Sequence, residues 1–162
     1  MKGPWTALLG IAIVFGVAPL AQAVVVFSCT VSTTPISFGT YNPLSAGGDA
    51  STGSWSVICT ATGSGSATVT GTLSLSTGRS GSYASRYMLA GTNKLMYNVY
   101  LDPGYTVVLG NGTGGSVAPT ETGTVTAGQQ YQVNGTMYGL IPAAQNAAPG
   151  AYSDTLVVTV TY

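Results

Sequence analysis

The sequence predicts an all-β sandwich, and three observations carry that expectation. Apolar side chains recur at every second position in several short segments, the pattern of strands half-buried in a core. Clusters of Gly, Pro, Asn and Asp separate those segments about every 8–12 residues. Charge is scarce, at 5% of residues against 45% apolar, a balance that suits a packed domain and not a disordered chain. Long, uneven connections favour the crossovers of a sandwich over an up-and-down barrel.

Taken in order, residues 24–33 (VVVFSCTVST) read as a first strand. Residues 35–43 mix Ile36 and Phe38 with the breakers Gly39, Asn42 and Pro43, as a short strand entering a bend would. A small-residue loop over 46–53 leads to a strand at 54–60, with Trp55, Val57 and Cys59 on one face. Residues 68–76 form another, with Val69, Gly71, Leu73 and Leu75 in phase, Gly71 marking a bulge or a close backbone approach. A long connection over 78–91 precedes a strand at 95–101, and Asp102-Pro103-Gly104 turns the chain. Residues 105–109 read as a short strand, followed by the flexible Gly-rich loop 110–115. Residues 122–127 and 130–140 have the spacing of a hairpin turning at Ala127-Gly128-Gln129. The final stretch alternates: Leu156, Val158, Val160 and Tyr162 on one face, Val157, Thr159 and Thr161 on the other. It ends with no segment after it to pair with, which makes its neighbour the central question.

A leader precedes these strands. Lys2 begins it, residues 5–20 form an apolar run, and Ala21-Gln22-Ala23 supplies a small-x-small cleavage site. The run is shorter than the roughly 20 residues of a membrane anchor and lacks a charge cluster after it. The expected division is a signal peptide over 1–23 and one domain over 24–162, with no stable membrane span after cleavage. Export places the chain in an oxidising compartment, where two cysteines form a disulfide by default. A Cys29–Cys59 bridge closing a loop of about 30 residues stabilises by roughly 3.5–4 kcal/mol through restriction of the unfolded chain.

Chemistry finds few footholds. The chain has no histidine, and its four basic residues, Lys2, Arg79, Arg86 and Lys94, make no patch, which argues against nucleic acid. Without histidine, and with both cysteines committed, Ser-His and Cys-His devices are excluded. No CxxC spacing suggests a metal. The carboxylates Asp49, Asp102, Glu121 and Asp154 fall in loops or at strand starts, where turns are the simpler reading. The loop at 110–115 lacks the Lys-Ser/Thr and helix of a phosphate cradle. No enzyme, cofactor or metal is expected. The ten tyrosines read mainly as packing, with an adhesive surface as the alternative.

An ordered set of segments carries a family likeness. Phe38-Gly39-x-Tyr41-x-Pro43 follows the first cysteine, and Arg86-x-Met88 precedes Leu95-x-Tyr97-Asn98-x-Tyr100-x-Asp102. Tyr138-Gly139-x-Ile141-Pro142-x-x-Gln145 leads into Gly150-x-Tyr152-x-Asp154-Thr155 and the alternating end. Together, over residues 24–162, they resemble the spore coat protein U domain family, which includes pilin subunits of the archaic, Csu-type chaperone–usher pathway. The resemblance implies an immunoglobulin-like β-sandwich lacking its final strand, which a periplasmic chaperone lends and a neighbouring subunit later replaces. It further implies an outer-membrane usher as partner and a location from periplasm to cell surface, in a pilus or fimbria serving adhesion or biofilm formation. Backbone hydrogen bonds would give affinity and alternate side chains the register. Leu156, Val158, Val160 and Tyr162 are then the expected docking strand.

Two departures qualify the likeness. Leu109 stands where an aromatic residue often precedes the Gly-x-Gly loop. Cleavage after Ala23 also leaves only five residues, Val24 to Ser28, before Cys29. At about 3.3 Å per residue they reach about half of a groove more than 30 Å long. The chain is expected to accept a strand but to be a poor donor of one, as in a terminal or minor subunit. A self-sufficient coat or adhesive sandwich that binds carbohydrate or a surface is the alternative.

Overall fold

The computed structural model describes residues 24–162, and the expected leader at 1–23 lies outside the described residues. Eight strands form the fold: β1 Val25–Thr34, β2 Asp49–Gly63, β3 Ser66–Leu75, β4 Arg86–Ala90, β5 Asn93–Tyr100, β6 Thr120–Thr126, β7 Gln130–Ile141 and β8 Val158–Thr161. They make a β-sandwich of two antiparallel sheets, one ordered β1-β2-β7-β5-β4 and the other β6-β3-β8. The only helix among the described residues is a 3-10 turn at Gly78–Ser80.

Alternation sets the core. Trp55, Val57, Cys59 and Ala61 on β2 turn inward, as do Leu95, Tyr97 and Val99 on β5 and Met137 and Ile141 on β7. Val69, Leu73 and Leu75 on β3 and Val125 on β6 face them from the smaller sheet. Two glycines of β7 make room for the largest of these groups. A Cβ at Gly135 would collide with the Trp55 indole, its neighbour across the β2–β7 ladder. One at Gly139 would strike Ile36 and Phe38.

The strands depart from the sequence reading in several places. β2 begins at Asp49, inside the expected loop, because β7 pairs with it from Asp49↔Ile141 to Thr60↔Gln130. Pairing partners override the weak strand propensity of Asp49-Ala50-Ser51-Thr52-Gly53. β4 lies inside the expected connection at 78–91, concealed because the inward position at its start is a charged residue, Arg86. Residues 35–43 contain no strand: Ile36 and Phe38 pack against the core, but Pro35 and Pro43 offer no amide for a ladder. Residues 105–109 make only the isolated bridges Tyr100↔Val108 and Leu109↔Val117. The Asp102 carboxylate accepts from the Thr106 and Val107 amides there, holding a turn against a strand.

The expected hairpin is overturned. β6 pairs with β3 and β7 pairs with β2 and β5, so the turn at residues 127–129 crosses from one sheet to the other. Ala127 N–H donates to Gly65 O at 2.9 Å and Gly128 N–H to Ala61 O at 3.0 Å, fixing the crossover where β2 leads into β3. The last strand is also shorter than its alternation: β8 spans only Val158–Thr161, while even-numbered residues from Tyr152 to Val160 are all half-buried.

Candidate functional site

A seam opens between two walls. One wall is β1 with its continuation through Tyr41; the other is the C-terminal segment from residue 152 to 162. At about 3.3 Å per residue the second wall is about 33 Å long. Three successive cavities mark the seam. The narrow end, about 40 Å³, is lined by Cys29, Trp55, Leu73, Val160 and Tyr162, with Glu121 at its rim. The middle, about 360 Å³, lies between Thr33–Ile36 and Leu156–Val158 over Leu75, Tyr97 and Met137. The wide end, about 680 Å³, lies between residues 36–43 and 147–152 and shares Ile36, Phe38, Met88 and Tyr152 with the middle.

Both walls turn backbone toward the seam. Leu73 N–H donates to Pro119 O and Leu75 N–H to Gly110 O, on the side of β3 away from β8, whereas Ser76 N–H donates to Val157 O. With the register Ser74↔Thr159, β3 therefore bonds the odd-numbered residues of the C-terminal segment. Val158 and Val160 point their own N–H and C=O groups away from β3. On the opposite wall, Cys29 of β1 pairs with Cys59 of the adjacent β2, their Cα atoms 4.0 Å apart, the spacing of a narrow, non-hydrogen-bonded pair. The Cys29 N–H accordingly points off β2 and donates to Tyr162 Oη at 3.1 Å.

All four expected docking residues line this seam: Leu156 and Val158 in the middle, Val160 and Tyr162 at the narrow end. Cys29 and Cys59 are joined by a disulfide between neighbouring strands at the narrow end. Ile36, Phe38 and Tyr41, which complete the opposite wall, escape the sequence reading as site residues. Their signals are the Ile36/Phe38 alternation beside Pro35 and the place of Phe38 and Tyr41 in the family segment.

Polar networks hold the walls. Tyr97 Oη donates to Asp154 Oδ2 at 2.8 Å and Arg79 N–H to Asp154 Oδ1 at 3.2 Å, tying the C-terminal wall to β5 and the 3-10 turn. Burial, and then the Asp154 hydrogen bond and charge, push the Tyr97 phenol well above its ordinary range. Arg86 is fully buried beside them and donates to Ser76 O, Leu109 O and Asn98 Oδ1. That burial lowers its guanidinium pKa. On the other wall Tyr41 Oη donates to Pro142 O and accepts from Gln145 N–H. The Gln145 side chain in turn satisfies both the N–H and the C=O of Met96.

The four carboxylates are dispersed. Asp49 begins β2, Asp102 organises its own turn, Glu121 sits at the narrow rim, and Asp154 braces a wall. Among the described residues no group of three or more His, Cys, Asp or Glu could hold a metal ion, and no helix is long and apolar enough to cross a membrane. What the seam offers chemically is an apolar trough with hydrogen-bonding edges.

Fold and seam together define a pilin-like β-sandwich. The sequence profile of the Spore Coat Protein U domain family matches residues 16–159, and the chain belongs to that family. Protein U of Myxococcus xanthus is 33% identical over 134 residues, a match covering 78% of this chain and 71% of that one. The fold is similar to a chain in the crystal structure of the CsuC–CsuE chaperone–tip adhesion subunit pre-assembly complex from archaic chaperone–usher Csu pili of Acinetobacter baumannii. There the TM-score is 0.56 at 18% identity, over 85% of this chain but only 40% of the other.

Proposed function

We propose that the protein is an exported structural subunit of a surface pilus or fimbria, assembled by a chaperone–usher pathway, whose seam accepts a β-strand from a partner. A periplasmic chaperone lends the strand first and a neighbouring subunit replaces it at an outer-membrane usher. The single observation that carries this reading is the seam itself. Its C-terminal wall offers the backbone of Val158 and Val160, while Leu156, Val158, Val160 and Tyr162 line an apolar trough. A strand laid there gains hydrogen bonds at its edge and pockets for alternate side chains, the physics of β-augmentation. The likeness to a chain of a chaperone–subunit complex supports the same partner class.

Residues 1–23 are then the cleaved signal peptide and 24–162 the secreted domain, reaching the cell surface through the periplasm and serving adhesion or biofilm formation. Val25 to Ser28 already pair with Thr60 to Gly63 in the domain's own sheet, so they are not free to serve as a donor. This favours a terminal or minor place in the fibre. Co-expression with the cognate chaperone should give a 1:1 complex that Val160→Asp abolishes. A stable monomer whose seam amides are protected without any partner would sink the idea.

A second reading has one observation in its favour. Tyr138 and Tyr100 pair across β7 and β5, and the Tyr105 ring stands edge-on to Tyr100 at 5.6 Å, forming an aromatic row. A self-sufficient adhesive sandwich would use that row on carbohydrate, and a glycan array with Tyr100→Ala as control distinguishes the two.

A further inference from the structure

We propose that Tyr162 is a placeholder for the incoming strand: its phenol occupies a backbone position on β1 that the occupant of the seam must take over. This rests on the strand-acceptor reading above and adds a step to it.

The Cys29 amide faces the seam because its pair with Cys59 is a narrow one. An amide on an unpaired edge seeks an acceptor, and here the acceptor is a side chain from the opposite wall, Tyr162 Oη at 3.1 Å. The same ring leans on Phe27 of β1, centroids 5.7 Å apart and planes tilted by 48°. Tyr162 thus bridges both walls at the narrow end, where the free volume is smallest, about 40 Å³. The contact is nonetheless shallow, since Tyr162 remains 51% exposed and can swing out without opening the core. A strand threading between Val160 and Cys29 brings a carbonyl of its own, and the phenol and that carbonyl cannot both take the Cys29 proton in line. Tyr162 must yield before the narrow end fills, while the middle and wide stretches stand open beforehand.

The test uses the secreted domain with its disulfide intact and a fluorophore-labelled synthetic peptide of about ten alternating Val and Thr residues between lysines, long enough to fill the seam. Two quantities are followed in wild type, Tyr162→Phe and Tyr162→Ala: hydrogen exchange at the Cys29 amide, and the rate of peptide capture. Tyr162→Phe keeps the ring against Phe27 and removes only the acceptor. It should speed both exchange and capture by about fivefold, the effect of one ordinary hydrogen bond. Tyr162→Ala, which also loses the ring contact, should capture faster still. Unchanged exchange at Cys29 in Tyr162→Phe, or equal capture rates in all three proteins, overturns the placeholder while leaving the acceptor reading intact. Capture by none of the three removes the acceptor reading and this proposal with it.

Discussion

Arg86 shows how a single charged residue can tie a fold together from its interior. Its guanidinium reaches three acceptors on three separate segments, at Ser76, Asn98 and Leu109, and stacks 5.1 Å from the centre of the Tyr83 ring. Removing the cation strands those acceptors in the interior. Arg86→Met should therefore lose about 3–5 kcal/mol in urea unfolding, and Arg86→Lys, which cannot fork, should recover only part of it. Asp102 gives a pH signature. The Val107 amide first, then the Thr106 hydroxyl and amide, hold its carboxyl below the ordinary range. A depressed folded pKa means that the contribution is present above the unfolded value of about 3.9 and is lost as pH falls below it. Exchange at the Thr106 and Val107 amides should accelerate through that acid limb, and Asp102→Asn should show fast exchange already at neutral pH. The residues that make the family likeness are legible in the sequence one by one: Arg86, Tyr97, Asn98, Gln145, Asp154. Their connections are not, because a hydrogen bond such as Tyr97 to Asp154 joins positions 57 apart and leaves no local periodicity.

At the scale of the element, alternation proved a good guide to faces and a poor one to partners. The inward sets Trp55/Val57/Cys59 and Val69/Leu73/Leu75 lie where period two places them. The pairing of β6 with β3, in place of β7, does not follow from a short Ala-Gly-Gln turn, since the same turn serves a hairpin or a crossover until the sheets are assembled. β4 was hidden for a different reason: burial of an arginine reverses the polarity on which the pattern depends. The pairing of Trp55 with Gly135 offers a measurement at this scale. An alanine methyl would occupy the indole's place, so Gly135→Ala should cost about 1–3 kcal/mol through overpacking, although alanine is otherwise less costly than glycine inside a strand. Gly71, whose Cβ position faces open space within the smaller sheet, is the matched control and should tolerate alanine with little change in the denaturation midpoint.

Across the whole molecule, the proposed acceptance of a strand would make stability a property of the complex and not of the chain alone. A strand that binds only the folded domain raises its stability by about 2.7 kcal/mol at a hundredfold excess over Kd. For a domain of this size that is a rise in Tm on the order of 8 °C. A thermal melt with the alternating Val/Thr peptide should show this rise, and Val160→Asp should abolish it. The wall carrying Leu156, Val158, Val160 and Tyr162 was legible because its alternation is local. The facing wall was not, since Ile36, Phe38 and Tyr41 acquire their role only from what lies across the gap.

The Cys29–Cys59 bond has a mechanical consequence. β1 is an edge strand held to β2 by ten successive residue pairs, from Val25↔Gly63 to Thr34↔Ser54, and an edge strand under load peels from its ends. The covalent tie sits at the fifth of those pairs. Fraying that starts at Val25 therefore stops after four pairs, and fraying from Thr34 stops after five. The Cys29–Cys59 pair at the narrow end stays anchored in either case, so a fibre pulling on a strand lodged in the seam would meet a wall that can loosen on either side of the bridge but not come away.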